Sequence, residues 1–302
     1  MQLSALLVAG LCAVPSVLGH GEPNTAAAIA HRDAHIKRSV QSLGSCANKL
    51  VGRGVSIERQ AKTSAFVNRY LARRGLEGGF EAAPSLAKKQ STCVLSPEQE
   101  EGPFYLDGEL IREDITEDEA GVDLLLDVTV IDVNTCEPLS GVMLDFWSCN
   151  STGTYSGYAQ EQTTGLTWLR GLQVSDDDGV VQVTTKFPGW YGGRAQHIHI
   201  KAHVDYTIDD ETETITGGTV PHTGQIFFDQ DLLTTVNAVA PYTSDTNPFT
   251  LNADDRVVTQ QANSTDGYDA FVDITLTGTD VTDGLLGRLT IAIDSSATPG
   301  PA

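Results

Sequence analysis

Residues 176–204 read DDDGVVQVTTKFPGWYGGRAQHIHIKAHV, in which two alternating runs are separated by residues that form turns. The runs are 180–185 and 197–204, and the connection between them contains Pro188-Gly189 and a Gly-Gly pair. Short alternating runs bounded by Gly and Pro are typical of β-strands. This stretch therefore predicts two strands joined by a turn-rich connection.

The same pattern recurs through the C-terminal two thirds of the chain. Further runs with strand character are 122–132, 143–148, 225–228, 271–276 and 288–293. Many short strands with few helical runs favour an all-β fold, here an antiparallel β-sandwich core with a short helical or irregular N-terminal segment. Sandwiches often exceed about 200 residues as one unit. We therefore expect a single β-sandwich domain over residues 91–302.

The first 90 residues differ in character. Residues 1–19 are apolar and end in small side chains, which is typical of a secretory signal peptide; an uncleaved anchor is the alternative. Residues 20–90 show the apolar spacing of one or two amphipathic helices, followed by a linker. Dibasic pairs such as Arg73-Arg74 raise the hypothesis that this segment is a pro-segment removed during export.

The charge of the chain divides at the same place. Residues 20–90 contain 12 Lys and Arg against 5 Asp and Glu, whereas 91–302 contain 7 against 35, within a net charge of −21. We expect the basic segment to lie on the acidic domain. Because a strongly acidic surface repels nucleic acid and anionic membranes, we expect neither as a partner. Together with the leader, this favours a secreted, extracellular protein.

Four cysteines remain beyond the leader, an even number that suits two disulfide bonds in an oxidising compartment. The turn at 137–141 favours a pair between Cys136 and Cys149, which leaves Cys46 with Cys93. Sequence alone allows all three pairings. Two sequons would make the chain a glycoprotein if the host glycosylates it: Asn150-Ser-Thr and Asn263-Ser-Thr.

One strand carries the first candidate metal ligands. In HIHIKAHV, period-two alternation places His197 and His199 on one face and Ile198 and Ile200 on the other. Alone, the histidine pair fits a zinc site, a copper site or a purely structural role.

Two tyrosines sharpen this interpretation. Tyr191 and Arg194 immediately precede His197, and Tyr155 lies in a Gly-Thr-Tyr-Ser turn after an earlier strand. Phenolate is a hard, anionic ligand, so two tyrosines with two imidazoles suit a ferric ion better than zinc or ferrous iron. A trivalent cation would lower the pKa of both phenols enough for them to bind as phenolates.

Several segments, taken in order, resemble the intradiol ring-cleavage dioxygenases, the family of catechol and protocatechuate dioxygenases. They are PEQEEGPFYLDGELIRED at 97–114, LDFWSCNSTGTYSGY at 144–158, SDDDGVVQVTTKFPGWY at 175–191, RAQHIH at 194–199 and HTGQIFFDQD at 222–231. The likeness covers about residues 94–235 and keeps the eight-residue step from Trp147 to Tyr155. The N-terminal segment matches neither the helical dimerisation domain of catechol dioxygenases nor a second protocatechuate dioxygenase subunit, so a secreted, fungal-type branch fits better.

The resemblance implies an activity, a cofactor and residue roles. It implies an oxidoreductase that cleaves catechol-type diols between the two hydroxyl-bearing carbons, to give cis,cis-muconate-type products. Its partners would be a small aromatic diol and O2, with the oligomeric state left open. Tyr191 would be displaced by the substrate and accept a proton, Arg194 would stabilise negative charge on the ring, and Gln225 would line the pocket. One non-haem Fe(III) per chain would be bound by Tyr155, Tyr191, His197 and His199.

Two other functions remain open. One is a non-catalytic secreted β-sandwich that binds aromatics, carbohydrate or iron; the other is a zinc-dependent hydrolase, which would need a carboxylate base that is not evident. For the neighbouring side chains we expect mainly structural roles. Tyr158 and Trp190 are expected to pack, His203 to be structural or exposed, His222 to have no ligand role, and Tyr105 to line either the pocket or the core.

Overall fold

The computed structural model describes residues 57–76, 79–81, 101–263 and 271–296. The predicted signal peptide and the predicted Cys46–Cys93 pair lie outside the described residues. Within the described ranges, no helix combines the length and the apolar character needed to cross a membrane.

The described part of the chain contains ten strands and three α-helices. The strands are β1 (Asp123–Asp132), β2 (Met143–Trp147), β3 (Arg170–Val174), β4 (Val180–Lys186), β5 (His197–Val204), β6 (Thr207–Asp209), β7 (Thr214–Thr216), β8 (Thr219–Phe227), β9 (Asp273–Leu276) and β10 (Leu285–Ile293). The helices are α1 (Ile57–Arg73), α2 (Gln230–Asn237) and α3 (Arg256–Asn263). Two sheets of order β4-β1-β10-β9 and β3-β2-β5-β8 form a sandwich, and β6 and β7 form a separate hairpin.

The predicted all-β sandwich is confirmed, with one departure from antiparallel pairing. β1 pairs antiparallel with β4 but parallel with β10, where Leu124 lies opposite Leu285. In the second sheet, β5 is antiparallel to both β2 and β8. Parallel neighbours need a long crossover connection, and here the whole second sheet lies between β1 and β10 in the chain.

Alternation along the strands gives each sheet one face in a common core. Leu124 and Leu126 of β1 and Ile198 and Ile200 of β5 all belong to this core. Because successive side chains point to opposite faces, the other residues of β1 and β5 lie on the two outer faces of the sandwich. The outer face of the first sheet is covered by α1, and that of the second carries the candidate ligands.

Helix α1 packs through an apolar stripe. Phe66 and Val67 are fully buried and form a cluster with Leu125 of β1 and Leu286 of β10. Apolar residues spaced for one helical face therefore give this segment its docking surface.

The charged residues of α1 also contact the acidic domain, as expected. Arg59 Nη1 donates to both oxygens of the fully buried Asp127 carboxylate, at 2.8 and 2.9 Å. Farther along the helix, Lys62 pairs with Asp176 at 2.7 Å, outside the apolar contact. The basic N-terminal segment and the acidic sandwich therefore meet through ion pairs as well as through apolar contact.

The predicted Cys136–Cys149 disulfide is wrong. Cys136 is disulfide-bonded, but Cys149 is a free and buried thiol. The prediction assumed that the turn at 137–141 joins neighbouring strands, whereas this turn carries the chain from one sheet to the other. Cys149 instead packs with Trp147 and Tyr155, in an apolar setting that raises the pKa of its thiol.

Candidate metal centre

The two histidines lie side by side on the outer face of β5. His197 and His199 are buried, and their Nε2 atoms are 3.1 Å apart. His197 Nδ1 is 2.6 Å from the carbonyl oxygen of Ala195 and must donate to it. In a neutral imidazole the lone pair is then on Nε2, which is the arrangement that metal-binding histidines require.

The two tyrosines reach the same place from different loops. Tyr155 follows β2 and is buried, while Tyr191 lies in the connection from β4 to β5 and is only partly buried. The Tyr191 hydroxyl is 3.3 Å from His197 Nε2, and the two tyrosine rings meet edge to face with centroids 5.7 Å apart. The structure therefore brings all four predicted ligands together.

Two glycines allow the tyrosine loops to approach each other. A Cβ atom at Gly153 would lie 2.0 Å from the carbonyl oxygen of Trp190, and one at Gly189 would lie 2.5 Å from that of Asn150. Gly153 also has a φ of +80°, which other residues rarely adopt. A side chain at either position would force the backbone of the two loops to shift.

The donor atoms fit a single metal ion. Two ligands bound to one ion at about 2.0–2.2 Å are about 3.0–3.5 Å apart, which matches the 3.1 and 3.3 Å separations at His197. The Tyr155 hydroxyl is buried and has no hydrogen-bond partner among the described residues. Because buried polar groups normally have partners, this orphaned oxygen is best explained as a ligand. Two phenols and two imidazoles are also a donor set that suits Fe(III).

Burial keeps both tyrosines neutral in the absence of a cation. It raises the pKa of Tyr191 to about 12 and that of Tyr155 well above the ordinary value, whereas the positive charge of Arg194 opposes the shift at both. Metal binding therefore releases protons from the two phenols.

Arg194 is held in place by two buried partners. Its Nε donates to Asp255 Oδ2 at 2.8 Å, and its Nη2 donates to Gln225 Oε1. Asp255 also accepts the backbone N–H of Ala195 and, at the start of α3, that of Val257. Although burial alone would raise it, Arg194 and the backbone amide of Ala195 lower the pKa of Asp255. Arg194 is thus fixed as a cation beside the ligands.

Aromatic side chains form the wall around the ligands. Phe104 stacks on the Tyr155 ring at 4.1 Å and 7°, and Trp147 stacks on the His199 ring at 4.7 Å and 9°. Tyr105 packs edge-on against Trp147 at 5.1 Å, so it supports the wall as well as the core. The ligands therefore sit in an apolar, aromatic setting.

The remaining predicted side chains have packing roles. Tyr158 belongs to the aromatic cluster and donates to the carbonyl of Tyr105 at 2.8 Å. Trp190 is largely buried and donates to the carbonyl of Asn247 at 2.9 Å. His203 is buried, with Nε2 3.8 Å from Asp145 Oδ2.

His222 is buried on β8 opposite Ala202, whose side chain lies in the core. Alternation therefore points His222 away from the face that carries His197 and His199.

Three residues at this site were not predicted from the sequence. They are Phe104, Asp255 and Arg170, whose guanidinium carbon lies 5.8 Å from the centroid of the Tyr155 ring. Asp255 has a recognisable signal, because an Asp before a helical run is a common N-cap. The contacts of Phe104 and Arg170 are made across distant parts of the chain and leave no local pattern.

Comparison with known proteins points to one family. The sequence profile described as Dioxygenase matches residues 96–278. An intradiol ring-cleavage dioxygenase from Tetranychus urticae is 31% identical to this chain and superposes on it with a TM-score of 0.59. The match covers 68% of this chain and 98% of the Tetranychus urticae chain. The crystal structure of a second dioxygenase is 30% identical, with the same coverage and a TM-score of 0.58. The search of curated proteins found no match.

Proposed function

Because this chain belongs to the intradiol ring-cleavage dioxygenase family, we propose that it uses one Fe(III) per chain to cleave catechol-type diols between their two hydroxyl-bearing carbons. In the simplest case, catechol and one molecule of O2 give cis,cis-muconic acid, which contains every atom of both reactants. Family membership supports the reaction type and the iron. The choice of diol and the muconate-type product are part of the proposal.

The observation that carries the proposal is the convergence of Tyr155, Tyr191, His197 and His199. Their ring contacts and the 3.1 and 3.3 Å separations at His197 Nε2 join two loops and one strand at a single point. A purely structural cluster would not need a buried hydroxyl without a partner at its centre.

Tyr191, Tyr155 and Arg194 have different roles in the proposed reaction. When bound, Fe(III) would supply the electron withdrawal that makes an aromatic diol reactive toward O2. Tyr191 is the more exposed of the two tyrosines, so it is the one that an incoming diol can displace, and its phenolate oxygen then accepts a proton from the diol. Tyr155 is buried and remains in place. Arg194 holds a positive charge beside the ring, where it stabilises developing negative charge.

We also propose that the protein is exported, as expected for a secreted, fungal-type branch. The apolar leader at 1–19 supports export, and so does the disulfide bond of Cys136, since such bonds persist mainly in oxidising compartments.

In the folded protein, the side chain of Asn150, the acceptor of the first predicted sequon, is held by two hydrogen bonds. Its Nδ2 donates to Glu119 Oε2 at 3.0 Å and its Oδ1 accepts the backbone N–H of Thr152 at 3.1 Å. Glycosylation of Asn150, which the sequon predicts, stays a prediction.

The proposal is tested by oxygen uptake and by muconate absorbance with catechol as the probe. The iron-loaded protein should consume one O2 per diol and show a visible tyrosinate-to-iron charge-transfer band. Tyr155→Phe should lose the activity and the part of the band that the Tyr155 phenolate contributes. Tyr206→Phe is the matched control, because its hydroxyl contacts only the carbonyl of Gly141 among the described residues, and it should behave as wild type.

The main rival is a non-catalytic β-sandwich that binds aromatics, carbohydrate or iron. A colourless protein that leaves every diol intact after ferric reconstitution would favour it and would overturn the proposal. Elemental analysis that finds zinc and no iron would revive the zinc hydrolase.

A further inference from the structure

Arg170 is a fully buried cation beneath the loop that carries Tyr155. It is 1% exposed, and its Cζ lies 5.8 Å from the ring centroid of Tyr155 and 5.6 Å from that of Tyr158. A guanidinium within about 6 Å of a ring centroid attracts the electrons of that ring. This attraction is stronger when the ring belongs to a phenolate, because the charge itself is then negative.

Hydrogen bonds fix the position of Arg170 relative to Tyr155. Its Nε donates to Ser156 Oγ at 2.9 Å and its Nη2 to the Ser156 carbonyl at 3.0 Å. Ser156 in turn donates to the carbonyl of Trp168 at 2.7 Å. Because Ser156 follows Tyr155 in the chain, these hydrogen bonds from the guanidinium fix the backbone that sets the orientation of the Tyr155 side chain.

The charge of Arg170 is only weakly compensated. Among the described residues its carboxylate partner is Glu109, at a single Nη1–Oε1 distance of 3.3 Å, and Glu109 is also buried. Buried cations are costly unless they are well paired. A second negative group close to Arg170 would lower this cost, and an ionised Tyr155 is placed to be that group.

We propose that Arg170 is a positioning residue that orients Tyr155 and stabilises it as an anionic metal ligand. This inference rests on the proposed function, because it assigns a role toward the iron that the family implies. It concerns the electrostatic environment of one ligand and predicts a shift in the spectrum, separate from any change in turnover.

The test is the energy of the tyrosinate-to-iron charge-transfer band in matched variants. Arg170→Met removes the cation, so electrons leave the phenolate more easily and the band should move to longer wavelength. Glu109→Gln removes the opposing negative charge and should move the band to shorter wavelength. The spectra are recorded at least one unit above the pKa of Glu109, which burial raises to about 7.

Ferric affinity gives a second readout, by competition with a chelator. Arg170→Met should weaken iron binding by about 10- to 100-fold, the usual effect of removing a group that supports a metal ligand. Arg170→Lys keeps the charge without the planar fork, so it should restore the band position while affinity recovers only in part.

Arg112→Met is the matched control for the loss of a neighbouring arginine. Arg112 donates to the carbonyl oxygens of Arg170 and Thr167, at 2.8 and 2.7 Å, and so supports the same strand end. This variant should leave the band where it is. An equal shift in Arg112→Met would mean that loosening of the strand is the cause and would overturn the proposal.

The remaining outcomes separate this inference from the proposed function. If wild type has the band and neither Arg170→Met nor Glu109→Gln moves it, the role of Arg170 is refuted while the iron site stands. If wild type loaded with iron has no such band, the proposed function itself fails, and this inference fails with it. Should Arg170→Met not fold, the shift in Glu109→Gln decides alone.

Discussion

At the scale of single residues, the position of Arg194 depends on a buried ion pair. The Asp255 carboxylate is fully buried, accepts from Arg194 Nε at 2.8 Å and also caps α3 through the backbone N–H groups of Val257 and Val258. A charge-assisted hydrogen bond of this kind stabilises the pair and also fixes the orientation of the guanidinium. The helix α3 therefore acts as the anchor for a cation that lies beside the ligands.

We predict that Asp255→Asn lowers kcat by about 100-fold, because a small displacement of a charged group costs that much at an active site. Asparagine can still cap α3, so the thermal unfolding temperature should change less than the activity. The measurement is steady-state oxygen uptake together with thermal unfolding. Asp273→Asn, at an exposed carboxylate 3.4 Å from Arg288, is the control and should leave kcat unchanged. A normal kcat in Asp255→Asn would show that Arg194 does not need this partner.

Prediction from the sequence placed a residue correctly where its position follows from its own strand or motif. Alternation alone placed His197 and His199 on one face, and motif likeness brought Tyr155 and Tyr191 to them; the structure joins all four. It failed where partners are distant. Asp255 is separated from Arg194 by 61 positions, so its contact appears only after α3 has folded against β5.

At the scale of elements, one outer face of the sandwich packs against α1 and the other carries the candidate metal centre. β1 turns Leu125 and Asp127 outward to α1, whereas β5 turns His197 and His199 outward to the candidate metal centre. The common core lies between them. Changes under α1 should therefore affect stability without reaching the ligands.

We predict that Phe66→Ala lowers the free energy of unfolding by about 3–4 kcal/mol, the cost of a cavity left by a buried aromatic ring. Activity measured well below the unfolding temperature should stay close to wild type, because Phe66 packs in the cluster that contains Leu125 and Leu286 of the first sheet, on the outer face opposite the one that carries the candidate ligands. Denaturant unfolding and oxygen uptake measure the two effects. The control is Arg73→Ala, which removes an exposed pair with Glu113 at 3.8 Å and should cost at most about 1 kcal/mol. Equal losses in both variants would contradict the assignment of the apolar stripe as the main contact.

The elements themselves were predictable to different degrees. The strand predicted at 197–204 agrees with β5, and the helical pattern before Gly75 includes α1. β8 begins six residues earlier than predicted, at Thr219, because its polar start carries no alternation signal. β3 was missed because RGLQV has too few apolar residues to stand out, and its Gly171 has no side chain, which lets Ile115 approach the strand.

At the scale of the whole molecule, burial and pairing move carboxyl pKa values in opposite directions. Although burial opposes the effect, Lys62 lowers the pKa of Asp176, and Arg194 with the backbone amide of Ala195 lowers that of Asp255. Groups with lowered pKa values add stability that is lost as the pH falls. Glu109 acts in the opposite sense, because burial raises its pKa to about 7 despite the nearby Arg170. Stability should therefore be greatest at mildly acidic pH.

The size of the decline in stability as the pH rises toward neutrality follows from Glu109. Its pKa is about 7 in the folded chain against an ordinary 4.5, so the folded state retains a proton that the unfolded state has already lost. The free energy of unfolding should therefore fall by about 3 kcal/mol as the pH rises between these two values. Glu109→Gln cannot ionise and should remove most of this decline, as measured by denaturant unfolding of the iron-free protein across that range. Glu211→Gln, at an exposed carboxylate between β6 and β7, should keep the wild-type slope. If Glu109→Gln also kept it, the pH dependence would have to come from other groups, and the buried Glu109 would be ionised throughout.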